Sequence, residues 1–373
     1  MSGPPPPPGR AAGAAPRVVT VLGTRPEIIK LSPVLPLLDR RAAQTVVHTG
    51  QHYSYEMDAR FFEELGLRRP DRALAVGSAS HGEQTARMLA GLEPVLLELR
   101  PDAVVVQGDT NTTLAAALAA AKLGIAVVHL EAGARSFDRR MPEEINRRAV
   151  DHMASLLLAA DDVAAGNLRH EGIGSDRIHV VGSTAIDAVV QVRDRLDGAR
   201  VLDRFGLTPG AYAVVTAHRA KSTGADVLPG LLEALAVIAA RQPLVWPLHP
   251  RTRAAMQAQH LAMPAEILVT QPLGYLDMLR LVRDARALLT DSGGLQEEAA
   301  VLGTPALVLR DETEWEYLVA AGVQKLIGHT VRSVCDGAAE WLTPEGLASL
   351  RARPLAVRPG AAARAVETTL ASL

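Results

Sequence analysis

The feature that most constrains this chain is a regular alternation of short apolar segments with longer helical ones. Runs of Val and Leu such as Ala103–Gln107 and Ala126–Leu130 are separated by segments such as Thr112–Leu123, which have the length and composition of helices. Strands that alternate with helices of about ten to fifteen residues are typical of βαβ units. The pattern therefore predicts an α/β fold with a mostly parallel sheet and helices on both of its faces.

The alternation occurs twice along the chain. The first series runs from Val18–Leu22 to Ile178–Val181, and the second runs from Ala213–Thr216 to Ala306–Leu309. A chain of 373 residues agrees with two domains. Two nucleotide-fold halves divided near residues 182–187 predict a ligand cleft between them. We assign residues 17–183 to the first domain and residues 184–359 to the second.

The composition excludes several classes of protein. A net charge of -2, from 39 basic and 41 acidic residues, provides no strong field for nucleic acid or for an anionic membrane, so we expect neither partner. No run of apolar residues is long enough for a membrane span. Cys335 is the single cysteine, which excludes an intramolecular disulfide and fits a cytoplasmic location. Residues 1–16, rich in Pro and Ala, are predicted to form a tail outside the fold.

A cationic motif follows the first strand. In Gly23-Thr24-Arg25-Pro26-Glu27-Ile28-Ile29-Lys30, Arg25 comes at the start of a predicted helix and Lys30 follows within it. A helix N-terminus with two cations suits a diphosphate. The alternative is an ordinary βα turn with solvated charges.

The second half carries a glycine-rich junction of the same kind. Ser292, Gly293 and Gly294 follow a strand, and paired glycines let the backbone approach an anion closely. Glu298 lies one turn further on, where a carboxylate could bind the hydroxyls of a ribose. No Gly-Lys-Ser/Thr follows, so the motif is not a P-loop, and Gly172-Ile173-Gly174 lacks the third glycine of a dinucleotide fingerprint. We therefore predict no bound NAD and no other cofactor.

Carboxylates follow the strands of the first half. Asp109 and Glu131 come directly after apolar strands, and Glu143 and Glu144 open a predicted helix that continues with Arg147 and Arg148. Carboxylates that converge at the ends of strands can divide the roles of acid and base. The alternative is structural: helix capping by Asp109 and ion pairs between the glutamates and the two arginines.

Two histidines occupy equivalent positions in the second half. His218 and His249 each follow a strand, and each has an arginine close by in the sequence. This placement favours contact with a phosphate or a sugar. Two histidines without a third ligand are a weak case for a metal, and we predict none.

Taken together and in order, these motifs resemble the non-hydrolysing UDP-N-acetylglucosamine 2-epimerase family. The resemblance extends from about Arg17 to the C-terminus and rests on six segments: Gly23-Thr-Arg-Pro-Glu, Gly108-Asp-Thr, Glu131-Ala-Gly, Pro142-Glu-Glu-Ile-Asn-Arg, His218-Arg and Asp291-Ser-Gly-Gly-Leu-Gln-Glu-Glu-Ala. It implies two Rossmann-like domains of the glycosyltransferase-B type, with the C-terminal helix, residues 360–373, returning to the first domain. It also implies a homodimer that needs neither NAD nor a metal.

The resemblance assigns a role to each matching position. Asp109, Glu131 and Glu143 become the catalytic carboxylates, with Arg147 beside the last of them and His218 near the departing phosphate. The implied substrate contacts are made by Arg25, Lys30, His249, Ser292, Gly293, Gly294 and Glu298. The implied reaction interconverts UDP-GlcNAc and UDP-ManNAc: UDP is eliminated to give 2-acetamidoglucal, and it adds back after C2 is protonated from the other face.

Some positions depart from the family pattern. Lys221 stands in the segment after His218-Arg219, where the family carries an acid, and Trp315 stands where it carries an arginine. Trp315 could pack in the core or lie near the nucleotide sugar. Gln51-His52 matches only part of the regulatory site of some bacterial members. The alternatives to the epimerase are a hydrolysing relative that releases ManNAc and UDP, an epimerase acting on another UDP-sugar, a glycosyltransferase and a nucleotide-sugar binding protein.

Overall fold

A computed structural model describes residues 14–51, 61–352 and 358–373 of the chain. The described residues up to Ala188, together with Arg358–Leu373, form one compact unit, and those from Val189 to Ala352 form a second. Each unit contains one sheet in which all the pairings are parallel. The predicted fold class, two α/β domains with parallel sheets, is confirmed.

The sheet of the first domain has seven strands in the order β3-β2-β1-β4-β5-β6-β7. They are β1 (Arg17–Leu22), β2 (Ala43–His48), β3 (Arg72–Ala73), β4 (Ala103–Gln107), β5 (Ala126–Ala132), β6 (Leu156–Ala159) and β7 (Ile178–Val180). The sheet of the second domain has six strands in the order β10-β9-β8-β11-β12-β13. They are β8 (Ala213–Thr216), β9 (Leu244–Pro247), β10 (Ile267–Thr270), β11 (Ala287–Thr290), β12 (Ala306–Val308) and β13 (Gln324–Leu326).

Helices connect the strands in both domains. Those of the first domain are α1 (Arg25–Leu31), α2 (Leu35–Asp39), α3 (His81–Leu99), α4 (Asn111–Lys122), α5 (Pro142–Met153) and α6 (Asp162–His170). Helix α7 (Thr184–Val192) leads into the second domain, which contains α8 (Val201–Phe205), α9 (Leu228–Ala239), α10 (Pro250–Ala258), α11 (Tyr275–Arg283), α12 (Gly293–Leu302), α13 (Glu316–Ala320), α14 (Val331–Trp341) and α15 (Pro344–Arg351). Helix α16 (Ala361–Ala371) returns to the first domain, where it packs on α2. None of the described helices is both long and apolar enough to cross a bilayer.

The strands are apolar because helices cover both faces of each sheet. Every residue of β4 is buried, and so is every residue of β8 and β11. A strand that is buried on both faces has no polar side to alternate with the apolar one, which explains its continuous run of Val and Leu. Polar side chains therefore begin where these strands end.

Both sheets reverse their order of strands at one point. In the first domain the reversal lies between β1 and β4, and in the second it lies between β8 and β11. At such a point the connections leave the sheet in opposite directions and open a crevice at the carboxyl ends of the two strands. The segments after β1 and β4 carry Arg25 and Asp109, and those after β8 and β11 carry His218 and Ser292.

The structure corrects several of the elements that the sequence predicts. The sequence after β1 predicts one helix over Glu27–Leu38. The structure divides it into α1 and α2, because Pro33 has no N–H with which to continue the first helix. Strands β3 and β13 were not predicted, since two or three residues with charged or amide side chains leave no apolar pattern. The helix predicted over Tyr55–Leu65 and the predicted tail lie largely outside the described residues, and so does His52.

Helix α16 is attached to the first domain by the carboxylate of one residue. Asp187 accepts hydrogen bonds from the backbone N–H groups of Gly360 and Ala362, each at 2.7 Å. These groups belong to the first turn of α16, where N–H donors lack partners within the helix. Arg364 adds a hydrogen bond from its Nε to the carbonyl oxygen of Val181 at 2.8 Å.

We predict that Asp187→Ala lowers the free energy of unfolding by about 1 to 3 kcal/mol, because the buried N–H group of Ala362 and the partly buried N–H group of Gly360 lose their acceptor. Hydrogen exchange followed by mass spectrometry should show faster exchange in Ala361–Ala371. Asp203→Ala is the control, since Asp203 is exposed and its ion pair with Arg200 lies at the surface. Unchanged protection of α16 in Asp187→Ala would contradict the prediction.

Candidate functional site

The switch point of the first domain brings a lysine and a glutamate together. Lys30, near the end of α1, forms an ion pair with Glu131 at the end of β5. The amide of Gln107, the final residue of β4, donates to the same carboxylate oxygen of Glu131 at 2.7 Å. Only 12% of the Lys30 side chain and 18% of the Glu131 side chain are exposed. Such a pair interacts more strongly than one at the surface.

The backbone of Glu131 is strained. Its φ angle is +65°, in the left-handed region that side chains other than glycine seldom adopt. The pairing of β5 with β6 shifts register between Leu130 and Ala132, so the strand bulges at Glu131. Bulges of this kind redirect a side chain and occur often beside active sites. Here the bulge accompanies the ion pair with Lys30.

Asp109 and Glu144 share one arginine. Arg147 on α5 forms an ion pair with Asp109 through Nη2, and Nη1 contacts Glu144 at 3.0 Å. The side chain of Arg147 is 7% exposed, whereas that of Asp109 is 30% exposed. The Asn146 amide also donates to the carbonyl oxygen of Asp109 at 2.9 Å. Asp109 is therefore fixed through its backbone and its carboxylate while it stays accessible to solvent.

The adjacent glutamates on α5 have different environments. Glu143 is exposed, and Glu144 is fully buried. Glu144 accepts from the Ser136 backbone N–H and from Arg148, each at 2.9 Å. Burial alone would raise the pKa of Glu144, but these bonds and the charge of Arg147 lower it below its ordinary value. The ion pairing expected for one of the two glutamates belongs to Glu144, which leaves Glu143 as the candidate for chemistry.

Glu27 is a structural member of this site that the sequence analysis did not select. It is 1% exposed and accepts from the Gly23 backbone N–H and from the Thr24 hydroxyl, each at 2.9 Å. The hydroxyl of Thr110, the residue after Asp109, donates to the other carboxylate oxygen of Glu27 at 2.8 Å. Burial raises the pKa of Glu27, and the hydrogen bonds oppose that rise. Glu27 thus connects the segment that carries Arg25 with the segment that carries Asp109.

Arg25 is the first residue of α1 and is half-buried. Its guanidinium carbon lies 5.0 Å from the centre of the Phe61 ring, within the range of a cation–π contact. The arginine is held on one side by this ring.

In the second domain, Asp291 organises the loop that carries His218. Asp291 is fully buried after β11, and its Oδ2 accepts from the backbone N–H groups of His218 and Arg219, each at 2.8 Å. Its Oδ1 lies 3.5 Å from Nδ1 of His218. The carboxylate therefore joins the ends of β8 and β11 across the switch point.

His218 and His249 lie against each other. Their ring centres are 4.9 Å apart and their planes differ by 26°, which is a stacked arrangement. His249 is the N-cap of α10 and accepts from the Arg251 backbone N–H at 3.1 Å. Burial lowers the pKa of His218, Asp291 opposes this effect, and Arg219 and Arg251 reinforce it. At neutral pH, His218 is therefore available as a neutral imidazole.

The predicted anion site is the N-terminus of α12. Ser292 is the N-cap, and its backbone N–H donates to Thr290 Oγ1 at 2.9 Å. A Cβ atom at Gly293 would lie 3.1 Å from Nη2 of Arg219, so a side chain would crowd the arginine. At Gly294 a Cβ would meet no described atom within 4 Å. Glycine thus allows Arg219 to approach the start of the helix closely.

Trp315 supports this helix terminus from the interior. It is 4% exposed, packs with Leu318 and Val323, and donates from its indole N–H to the carbonyl oxygen of Gly293 at 2.9 Å. The sequence analysis left open whether Trp315 packs in the core or lies near the nucleotide sugar, and its burial agrees with packing in the core. Lys221, the second departure from the family pattern, forms an ion pair with Asp311 at 2.9 Å.

Two arginines converge on Glu314 beside this helix. Arg219 contacts it at 3.1 Å and Arg310 contacts it at 2.7 Å. Burial alone would raise the pKa of Glu314, but the charge of Arg219 and the hydrogen bond from Arg310 lower it well below its ordinary value. Two cations paired with one carboxylate leave a net positive charge, which suits the binding of an anion.

Glu298 lies on α12, 6% exposed, against Tyr275 at the start of α11. Burial and, after it, the Glu298 carboxylate raise the pKa of Tyr275 well above its ordinary value. Glu298 is thus a buried acceptor in the position predicted for binding a ribose. Among the described residues, no group of three acidic, histidine or cysteine side chains could hold a metal ion.

Comparison with known proteins gives a consistent result. A family model described as UDP-N-acetylglucosamine 2-epimerase matches residues 38–370. The chain is 43% identical over 321 residues to the UDP-N-acetylglucosamine 2-epimerase of Methanocaldococcus jannaschii, covering 83% of this chain and 87% of that one. It is also 40% identical over 317 residues to the UDP-2,3-diacetamido-2,3-dideoxy-D-glucuronate 2-epimerase of Pseudomonas aeruginosa, covering 84% and 88%.

Solved structures agree with the sequence relatives. The crystal structure of the M. jannaschii UDP-GlcNAc 2-epimerase in complex with UDP-GlcNAc and UDP is similar with a TM-score of 0.88 at 40% identity, covering 96% of this chain and all (100%) of that one. The UDP-GlcNAc 2-epimerase from Neisseria meningitidis bound to UDP-GlcNAc also gives 0.88, at 32% identity, covering 95% and 100%.

The pairing of Glu314 predicts a specific dependence on pH. A carboxyl whose pKa is lower in the folded protein stabilises the fold above its ordinary pKa of 4.5, and this stabilisation is lost as the pH falls toward the folded value. We expect Glu314→Gln to lower the free energy of unfolding by about 3 kcal/mol at neutral pH. The fall in stability between about pH 5 and pH 2 should also be shallower in this variant.

Tryptophan fluorescence follows the acid unfolding of the second domain, because Trp246, Trp315 and Trp341 all lie there. Glu340→Gln, at an exposed position, is the control and should behave like the unaltered protein. Identical acid transitions for Glu314→Gln and the unaltered protein would show that the arginine pairs contribute nothing.

Proposed function

Because this chain belongs to the UDP-N-acetylglucosamine 2-epimerase family, we propose that it interconverts UDP-GlcNAc and UDP-ManNAc without net hydrolysis. The observation that carries the proposal is the group of charges at the first switch point. Asp109 is paired with Arg147 and Glu131 with Lys30, and Glu143 lies one turn before Arg147. Pairing with a cation holds the Asp109 and Glu131 carboxylates in fixed positions, and a general acid or base must be held within reach of the proton that it transfers.

The chemistry explains why several carboxylates are needed. The C2 proton of the sugar is not adjacent to a carbonyl, so its direct removal would leave an unstabilised carbanion. In the proposed reaction the bond between C1 and the diphosphate oxygen breaks, and its electron pair leaves with UDP. The C2 proton passes to a carboxylate, which produces the double bond of 2-acetamidoglucal. UDP adds back at C1 after a proton reaches C2 from the opposite face.

We propose a role in this reaction for the residues that the sequence analysis selected. We assign Asp109, Glu131 and Glu143 to proton transfer and to stabilising the electron-poor C1. We assign the departing diphosphate to His218, with the Ser292 hydroxyl and the backbone N–H groups of Gly293 and Gly294, and the ribose to Glu298. Arg25 and Lys30 are proposed to contact the diphosphate, and His249 is proposed to support His218. Donors fixed in advance toward the leaving anion lower the barrier to its departure.

A second candidate substrate comes from one of the relatives. The P. aeruginosa protein that is 40% identical is named for a diacetamido-glucuronate, and this chain departs from the family pattern at Lys221 and Trp315. A UDP-sugar with an additional acetamido group and a C6 carboxylate is therefore the alternative to UDP-GlcNAc. Hydrolysis to free ManNAc is the alternative reaction. The homodimer, the cytoplasmic location and the absence of a cofactor stay predictions.

Incubation with UDP-GlcNAc in D₂O, followed by proton NMR, tests the reaction. We expect UDP-ManNAc to appear with deuterium at C2, because the proton is exchanged with solvent through the carboxylate. Release of free ManNAc would contradict the proposal and show that the protein hydrolyses UDP-GlcNAc. If deuterium is not incorporated with UDP-GlcNAc but is incorporated with the UDP-diacetamido-glucuronate, the second sugar is the substrate and the proposed mechanism stands.

The carboxylates can be tested one at a time. Asp109→Asn, Glu131→Gln and Glu143→Gln should each lower kcat by about 10²- to 10⁴-fold, since general acid–base groups contribute this much. UDP affinity, measured by calorimetry, should change little. Glu93→Gln is the control for Glu143→Gln, because Glu93 is an exposed glutamate on another helix, α3. Normal turnover in all three variants would rule out the assignment.

A further inference from the structure

One buried histidine lies between the two segments that carry Asp109 and Glu131. His129 is on β5 and is fully buried. Its Nδ1 lies 2.7 Å from Oδ1 of Asp151 on α5, and its Nε2 lies 2.8 Å from the carbonyl oxygen of Gly108. Both distances are those of good hydrogen bonds.

Both partners of the ring are acceptors. A carbonyl oxygen can only accept a hydrogen bond, and so can an ionised carboxylate. Oδ2 of Asp151 pairs at 2.7 Å with the guanidinium of Arg135, which is always charged, and this pairing holds the carboxyl in its ionised form. Asp151 is therefore ionised, and both ring nitrogens of His129 must donate. A neutral imidazole has one N–H and would leave one of these contacts without a proton.

The same carboxylate holds two further groups. Oδ2 of Asp151 accepts from the Gly133 backbone N–H at 3.2 Å and pairs with Arg135 at 2.7 Å. Arg135 in turn pairs with Glu171 at 2.8 Å. Glu171, whose side chain is partly exposed, also lies 3.5 Å from Arg148 and 3.7 Å from His152.

The contacts of His129 reach both candidate catalytic segments. Gly108, whose φ is +73°, forms the turn immediately before Asp109. Glu131 follows His129 by two residues, at the bulge of β5. A ring that donates in both directions thus fixes the turn after β4 relative to the end of β5 and to α5.

We propose that His129 is a buried imidazolium and a positioning residue, which holds Asp109 and Glu131 in the relative geometry that epimerisation requires. The positioning role rests on the proposed function, whereas the protonation of the ring does not. The side chain does not contact the substrate in this proposal. It acts through the Gly108 carbonyl and through Asp151.

Nitrogen-15 NMR of the unaltered protein, with labelled histidine and at neutral pH, tests the protonation. His129→Gln identifies the signals of His129 among those of the eleven histidines. We expect the chemical shifts of both ring nitrogens of His129 to be those of nitrogens that carry a proton. A bare ring nitrogen at His129 would overturn the imidazolium.

Kinetics test the positioning role. His129→Phe keeps an aromatic ring at this position and removes both donors, and a displacement of catalytic groups by about 1 Å can cost about 10²-fold in rate. We expect kcat to fall by about this factor in His129→Phe, with little change in KM. In His129→Gln, whose amide can donate to only one of the two oxygens, the loss should be smaller.

Val127→Ala is the matched control, because Val127 is a fully buried residue of the same strand, two positions before His129. It should lower Tm while kcat stays unchanged. Normal kcat in folded His129→Phe or His129→Gln would overturn the positioning role alone. If the unaltered protein does not epimerise any UDP-sugar, the proposed function fails together with the positioning role, and the NMR result still decides the charge of the ring.

Discussion

Parallel strands must be joined by crossovers, and these are right-handed in nearly all proteins, so a sheet can grow in both directions only if its strand order reverses once. In this chain the reversal between β1 and β4 and the reversal between β8 and β11 determine where polar side chains can gather. Elsewhere the strands are covered on both faces and contain few polar residues. At the carboxyl ends of these four strands, polar loop segments lie above a rigid sheet. The candidate residues Arg25, Asp109, His218 and Ser292 follow these strands.

Burial divides the carboxylates of the first domain into two kinds. Glu27, Glu144 and Asp151 are at most 1% exposed, and each is satisfied by several donors. A buried carboxylate without such donors would cost several kcal/mol, so these three residues stabilise the positions of the loops and are poor candidates for proton transfer. Asp109, Glu131 and Glu143 retain access to solvent, and the first two are each paired with one cation. The buried group thus provides the rigid support from which the accessible group can act.

The sequence predicts much of this arrangement and misses its details for identifiable reasons. Apolar runs locate most of the central strands to within one or two residues, and motifs directly after them, such as those containing Arg25 and His218, are placed correctly at strand ends. The burial of Glu144 could also have been predicted, because Glu144, Arg147 and Asp151 recur at helical spacing on the buried side of α5. The bulge at Glu131 and the packing of Trp315 could not. A left-handed backbone at a glutamate and the burial of one indole depend on tertiary contacts that leave no pattern in the local sequence.

The attachment of α16 by Asp187 has a consequence for synthesis of the protein. The first domain includes Arg358–Leu373, so its chain is interrupted by the whole of the second domain. On the ribosome, domains generally fold as units once their residues have emerged. The second domain can therefore complete its sheet while the first still lacks a helix, and Asp187 stays without its two N–H partners during that interval. Completion of the first domain then depends on a helix that is synthesised after the whole of the second domain, and Asp187 and Arg364 provide hydrogen bonds for its docking.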